Sequence, residues 1–360
     1  MSTVVLAILA LELMILVHEL GHLLVAKRVG ILVHTFAIGF GPRLFAVTRG
    51  ETTYALNLLP IGGYVNMAGE EGEPLSSSPR AEPGGRPPDV PLERTFRGKS
   101  VGARLAVVCA GPVMNFVLAI LLLAIVASVF GIPVGVSKRV GQLLPDYPAA
   151  KAGLMPGDVI LDIDGKPMAD GQEIIQTIHN SGGRTLAILV QRGSGRLLIH
   201  VPTKFDPKQR VWLTGFSPEV TRERLDPVRA LGWGALTTGR DIVAYLSALG
   251  NLFRSGQLLD NLSGPVTAVR FLGKAAHAGA ETFLYITAFF SIIIGLFNLF
   301  PIPALDGGRA MFLVAEWLRR RPVDPRREGY IHLVGLALLL CLIIALTVRE
   351  VLHPVHIPIP

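Results

Sequence analysis

His18-Glu19-Leu20-Gly21-His22 lies inside Val4–Ala26, an apolar stretch long enough to cross a membrane. Positions i and i+4 of a helix share one face, so His18 and His22 can both reach one Zn²⁺. Glu19 can then sit beside the attacking water as general base. A charged side chain at the bilayer centre costs roughly 2.5–3.5 kcal/mol unless it is paired, metal-bound or facing water. Three ionisable groups in one such stretch therefore point to a metal hydrolase working within the membrane. The competing interpretation, a chance match on a core helix, suits a soluble protein better than a span.

The elements that would position these groups are predominantly apolar. Of the 360 residues, 50% are hydrophobic and the mean hydropathy is +0.49, which excludes an ordinary soluble domain and implies several spans with one extramembrane domain. Spanning stretches occur at about Val4–Ala26, Leu105–Phe130, Phe283–Phe300 and His332–Val348. The first lacks the basic leader and small-residue cleavage site of a signal peptide, and cleavage would discard the motif. Basic residues follow the first span (Lys27, Arg28, Arg43, Arg49), precede the second (Arg94, Arg97, Lys99, Arg104) and crowd the loop between the last two (Arg319, Arg320, Arg321, Arg326, Arg327). By the positive-inside rule these flanks are cytoplasmic and both termini lie outside. The net charge of +7 thus reports topology, and no aromatic-interleaved basic patch suggests nucleic-acid binding. Cys109 and Cys341 fall in spans and read as packing residues.

His34–Met67 alternates apolar and small residues between turn signals, which predicts short β-hairpins. Beside the first span, such a loop would dip toward the motif and line a wet cavity, the one setting that tolerates non-helical backbone at membrane depth. Gly69–Pro91 is rich in Glu, Pro, Ser and Gly and reads as a disordered cytoplasmic linker. Between spans two and three, Gly153-Leu154-Met155-Pro156-Gly157-Asp158-Val159-Ile160, followed by Asp164-Gly165, resembles the turn and strand of a PDZ domain. A helix over 172–180 and strands over 185–191 and 196–201 complete a domain at 134–204. Such domains capture peptides as an added strand, and a purely steric role is the alternative. Arg229, Arg240 and Asp241 interrupt Pro227–Phe253, which is therefore an interfacial amphipathic helix rather than a span.

A catalytic zinc site needs three protein ligands and one open position. The third span ends in Asn298-Leu299-Phe300-Pro301-Ile302-Pro303-Ala304-Leu305-Asp306-Gly307-Gly308, where two prolines break the helix and a carboxylate follows. Taken alone, Asp306 reads as a helix N-cap. With spans one and three parallel, it reaches the depth of His18 and His22 and becomes the third ligand. A further span at 227–253 would move it to the opposite face.

HELGH in the first span together with NLFPIPALDGG in the third resembles the site-2 protease family of intramembrane zinc metalloproteases. FAIGFGPRLF (36–45), LLPIGGYVNMAGE (58–70), FRGKS (96–100), AGPVMNF (110–116) and LSGPV (262–266) extend the resemblance to the regulator of sigma-E protease group. The resemblance implies His18, His22 and Asp306 as zinc ligands and Glu19 as catalytic base. It also implies that Asn298, Pro301 and Pro303 position the substrate backbone and that Asn115 packs near the site, although an Asn in a span can equally be an interhelical hydrogen-bonding residue. The best-known enterobacterial members carry two PDZ domains in tandem, whereas one is visible here.

The expected fold is a multi-span α-helical membrane protein with four transmembrane helices, a membrane-associated β-hairpin loop and one inserted α+β PDZ domain. Its segments are 1–31 (first span), 32–69 (hairpin loop), 70–103 (cytoplasmic linker and basic segment), 104–131 (second span), 134–204 (PDZ), 205–281 (extracytoplasmic amphipathic region), 282–320 (third span with Asp306) and 331–349 (fourth span). The expected protein resides in a bacterial cytoplasmic membrane with the PDZ domain outside and the chemistry near the cytoplasmic face. Its expected partners are the lipid bilayer and single-pass substrates, such as anti-sigma factors or signal-peptide remnants, trimmed beforehand by a site-1 protease. A non-catalytic PDZ scaffold and a metal transporter are the alternatives. The intact Glu19 argues against the scaffold, which needs no base.

Overall fold

The computed structural model describes residues 3–70, 90–207, 209–256 and 264–353. Most of the acidic, Pro-rich linker, along with Leu262 and Ser263 of LSGPV, lies outside the described residues. In chain order the elements are α1 (Thr3–Arg28), β1 (Val33–Arg49), β2 (Thr52–Met67), α2 (Val101–Val129), β3 (Ile132–Leu143), α3 (Pro148–Lys151), β4 (Val159–Ile163), β5 (Lys166–Pro167) and α4 (Gly171–His179). There follow β6 (Leu186–Arg192), β7 (Gly195–Val201), β8 (Lys204–Asp206), β9 (Val211–Leu213), β10 (Phe216–Glu223), α5 (Pro227–Ser255), α6 (Pro265–Ala278), α7 (Ala280–Leu299), α8 (Asp306–Arg319) and α9 (Pro325–Leu352). The chain divides into two compact units, one formed by 1–126 with 227–360 and the other by 127–226.

In the first unit, α1, α2, α7 and the stretch Arg326–Leu352 of α9 are long and apolar enough to cross a membrane. Lipid offers apolar helices no hydrophobic reason to associate, so close approach through small residues must supply the contact. Ala7, Ala10 and Met14 of α1 pack with Leu118, Ala119, Leu122 and Leu123 of α2, with Leu272 of α6 and with Ala288, Ile292 and Leu296 of α7. Gly21 brings α1 so near α2 that an added Cβ would stand 2.3 Å from the Ala110 carbonyl oxygen. On α5, Ala230, Gly234 and Thr238 form a buried i, i+4, i+8 stripe, and a Cβ on Gly234 would stand 2.6 Å from the Ile120 carbonyl oxygen of α2. Val228, Leu231, Leu236, Val243, Leu246 and Phe253 of α5 are exposed. Glu350 of α9 accepts the Gly264 and Thr267 N–H groups at 2.5 and 3.2 Å, which satisfies the start of α6.

Where short hairpins are expected at 34–67, the structure has two long strands folded back on one another. Phe36 pairs with Val65 and also with Tyr54, and Ile38 pairs with Gly63 and also with Leu56. The first half of β1 therefore lies between two stretches of β2, and register shifts from Thr35 through Arg43 accommodate the fold. Gly39, Gly41 and Gly62, all with positive φ, supply the bends. Glu12 of α1 accepts the Gly62 N–H at 3.0 Å and ties this bend to the helix. Among the described residues no further strand pairs with the outer edge of 63–67.

As the two prolines predict, the segment 282–320 breaks into two helices: α7 ends at Leu299, and Phe300–Leu305 forms a turn before α8. The prolines enforce this break, since Pro301 and Pro303 can donate no backbone N–H to a continuing helix.

The second unit is a sheet in the order β10-β3-β4-β6-β7, with β5 paired to β4. Its core includes Val140, Leu154, Ile160, Ile163, Ile174, Ile178, Leu186, Ile188 and Val201. A register shift between Ile160 and Asp162 lets both Ile160 and Ile163 face inward. The unit extends past 134–204 because β10 pairs with β3 along 132–143. Thus Phe216–Glu223, within the expected amphipathic region, is strand.

Asp158, buried to 1% side-chain exposure, accepts Arg192 Nε and Nη2 at 2.8 Å each and the Met155 N–H at 2.9 Å. The Arg192 guanidinium holds this carboxyl below the ordinary carboxylate range. A depressed folded-state value stabilises the domain in full above the unfolded pKa of about 3.9, and that stabilisation is lost as pH falls through the folded value. Hydrogen-exchange protection factors of the β4 amides in the full-length protein should fall in acid. Arg192→Met should lower protection at neutral pH and shrink the acid loss; neutral protection equal to wild type would contradict this.

Candidate metal centre

His18 and His22 lie one turn apart on α1 and are only 7% and 8% exposed. Their Nε2 atoms are 3.2 Å apart and lie 2.9 and 3.3 Å, respectively, from Asp306 Oδ2. Asp306 is the first residue of α8, whose N-cap is Leu305; the carboxylate therefore faces the two rings instead of capping the helix. Its Oδ2 is buried and makes no hydrogen bond despite these close neighbours. Donor atoms about 2.0–2.2 Å from a tetrahedral ion stand roughly 3.3 Å from one another, close to the spacings found.

The remaining ring nitrogens set the tautomers. His22 Nδ1 lies 2.8 Å from the Val107 carbonyl oxygen and must donate to it, which leaves Nε2 as a lone pair. His18 Nδ1 lies 3.3 Å from the amide of Asn115, a residue with 0% exposure. The Asn115 Oδ1 is buried without a partner, and the two ends of an amide are interchangeable in outline. Turned so that Oδ1 accepts His18 Nδ1–H, it also leaves His18 Nε2 as a lone pair. Asn115 is itself held by Ser291 Oγ, which donates to the Asn115 backbone carbonyl at 2.8 Å.

α2 is thus the socket for both histidines, and Gly111 is its floor. A Cβ there would stand 2.3 Å from His22 Nε2 and 2.7 Å from His18 Nε2, against both ring nitrogens. The glycines after Asp306 serve backbone contact: a Cβ on Gly307 would meet the Phe300 carbonyl oxygen at 2.1 Å, and one on Gly308 the Ile302 carbonyl oxygen at 2.4 Å. Ala304, at φ +77°, donates its N–H to His332 Nδ1 of α9 at 2.9 Å. The turn that presents Asp306 is therefore pinned from two sides.

A cavity of about 280 Å³ opens at this cluster, lined by His18, Glu19, His22, Tyr64, Val65, Met67, Glu70, Asn298, Asp306 and Arg309 among others. Asn298 is in that lining and donates Nδ2 to the Ile294 carbonyl at 3.0 Å. Pro301 and Pro303 shape the turn but are not in the lining. The edge stretch of β2 runs close to the base, since a Cβ on Gly63 would lie 3.4 Å from Glu19 Cγ. Sequence reasoning missed Gly111, the Val107 carbonyl, Glu70 and Arg309. Its sole cue for Gly111 was an Ala-Gly-Pro run inside an apolar span.

Chemically, two imidazoles, a carboxylate and an adjacent Glu at a polar cavity make a metal-dependent hydrolase. A model of peptidase family M50 matches residues 6–342. The chain is 30% identical to the regulator of sigma-W protease RasP of Bacillus subtilis over 97% of this chain and 98% of that protein. It is 32% identical to the zinc metalloprotease RasP of Geobacillus kaustophilus over 93% of this chain and 94% of that one. A solved PDZ domain, that of the SdrC-like protein (Lmo2051) from Listeria monocytogenes, is 29% identical over 23% of this chain and 86% of its own, with a TM-score of 0.21. The chain belongs to peptidase family M50, the site-2 proteases. It is a zinc metalloprotease.

Gly111→Ala should abolish stoichiometric zinc binding while the protein stays folded and monodisperse in detergent, as read by metal analysis of purified protein. Asn115→Leu should weaken zinc roughly 10–100-fold. Wild-type zinc content in Gly111→Ala would contradict a zinc site beside the two ring nitrogens.

Proposed function

We propose that His18, His22 and Asp306 hold the zinc and that Glu19 is the catalytic base for cleavage of single-pass membrane proteins within their spans. The convergence of three buried donor atoms from α1 and α8 on one point, beside Glu19, carries this reading. Zinc held there would act as a Lewis acid on the scissile carbonyl and lower the pKa of the attacking water. Glu19 takes the proton of that water and delivers it to the leaving amine. Asn115 and the Val107 carbonyl keep both imidazoles in the ligating tautomer.

A transmembrane substrate conceals its scissile bond in helical hydrogen bonds and must become extended before attack. The edge of 63–67 beside Glu19, unpaired among the described residues, supports strand addition as the means of holding it. Asn298 in the cavity wall and the Pro301/Pro303 turn are suited to fix the opposite side. The distribution of basic residues supports a topology with both termini and the 127–226 domain outside and the cavity near the cytoplasmic face. The Gly-Leu-x-x-Gly-Asp-x-Ile turn and the strand order support a PDZ domain there, acting as a filter for substrates already shortened by another protease. Anti-sigma factors and signal-peptide remnants are substrates of the right form, and the Bacillus subtilis relative is named a regulator of sigma-W.

Purified protein mixed with a labelled single-span peptide tests this directly. Glu19→Gln should lower the cleavage rate by about 10²–10⁴-fold, the usual contribution of a general acid–base group, with zinc content unchanged. Cleavage by Glu19→Gln at the wild-type rate would overturn the assignment.

A further inference from the structure

Arg309 lies one helical turn beyond Asp306 on α8, and residues three apart on a helix are neighbours on one face. Its guanidinium lines the metal cavity and is within electrostatic reach of Asp306 and Glu19. An arginine is permanently charged and forks readily onto a carboxylate. Turned toward Asp306, it would compete with a cation for the carboxylate oxygens. Instead, Arg309 Nη1 donates to Glu70 Oε1. Glu70 stands just past β2, where its N–H bonds to the Met67 carbonyl oxygen at 3.2 Å. Both residues also line a second cavity, of about 190 Å³, with Arg97, Arg104, Glu316, Glu328 and His332. There Arg104 is already occupied by Glu316 through a two-pronged ion pair at 2.5 and 3.1 Å. Glu70 is the acid that holds Arg309 by direct hydrogen bond.

We propose that Glu70 is a positioning residue for the metal centre: by holding Arg309 it keeps that guanidinium off Asp306 and leaves the carboxylate free for zinc. The inference rests on the reading of His18, His22 and Asp306 as ligands. It differs from a simple tie between β2 and α8, because the two partners have opposite consequences when removed. Loss of Glu70 frees a cation beside the ligand, whereas loss of Arg309 removes the competitor.

The test is zinc affinity of the full-length protein in detergent, measured by chelator competition, for wild type, Glu70→Gln, Arg309→Gln and the double variant. Glu70→Gln should weaken zinc roughly 10–100-fold, the range typical of losing a group that supports a metal ligand. Arg309→Gln should not weaken it, and adding Arg309→Gln to Glu70→Gln should restore affinity close to wild type. Should Glu70→Gln fail to fold, Glu70→Asp, which shortens the reach by one methylene, takes its place with the same expected direction and the same rescue. Wild-type affinity in Glu70→Gln, or a double variant no better than the single one, overturns the inference, since a structural tie would lose affinity in all three. Zinc affinity equal to wild type in His22→Ala would instead overturn the ligand assignment beneath it.

Discussion

Polar atoms buried among apolar helices must be answered by other polar atoms, and His18, His22 and Asp306 answer one another only if α1, α2 and α8 approach very closely. Glycine at the contact points makes this possible. Gly21 lets α1 lie against the Ala110 carbonyl, Gly111 leaves open the space between the ring nitrogens, and Gly307 and Gly308 let α8 begin directly under the turn that precedes it. In lipid such contacts also hold the helices together, because dispersion and hydrogen bonding act there without help from water. Packing and chemistry are thus served by the same backbone approaches.

Around that contact, each neighbouring element fixes one degree of freedom of the site. The Val107 carbonyl and Asn115 determine which nitrogen of each histidine faces the centre. The Phe300–Leu305 turn determines where Asp306 stands, and His332 of α9 holds the Ala304 amide within that turn. Glu12 holds the bend of β2 against α1 and brings the 63–67 edge beside Glu19. Glu70 and Arg309 connect the end of that strand to the helix bearing Asp306. The result is a polar cavity walled by α1, β2, α2, α7 and α8 together with the turn before α8.

Much of this was legible in the residues. HELGH puts His18, His22 and Glu19 on one stretch of helix at the spacing proposed for two donors and a base, and the proline pair announces the break before Asp306. The α4, β6 and β7 ranges follow the hydrophobic alternation closely. What was hidden is what local patterns do not encode. Gly111 matters through a neighbour on another helix, the Val107 contribution is a backbone carbonyl identical to any other, and Arg309 looks in sequence like one more cytoplasmic cation. Strand β10 was invisible because Phe216–Glu223 carries Pro218 and few apolar residues, so its pairing with β3 is settled by tertiary fit. Taken alone Asp306 reads in the sequence as a cap, and matched in depth with His18 and His22 as a ligand; in the structure its carboxylate faces those two rings.

The central claim is that two imidazoles from the apolar helix α1 and one carboxylate from the start of α8 form the zinc ligand set. X-ray absorption at the zinc edge of the purified protein reads that set without reliance on activity. The account predicts a shell of only nitrogen and oxygen atoms at about 2.0–2.2 Å, with outer-shell scattering from two imidazoles that falls to one in His22→Ala. A sulfur neighbour at about 2.3 Å, or imidazole scattering unchanged in His22→Ala, would contradict it.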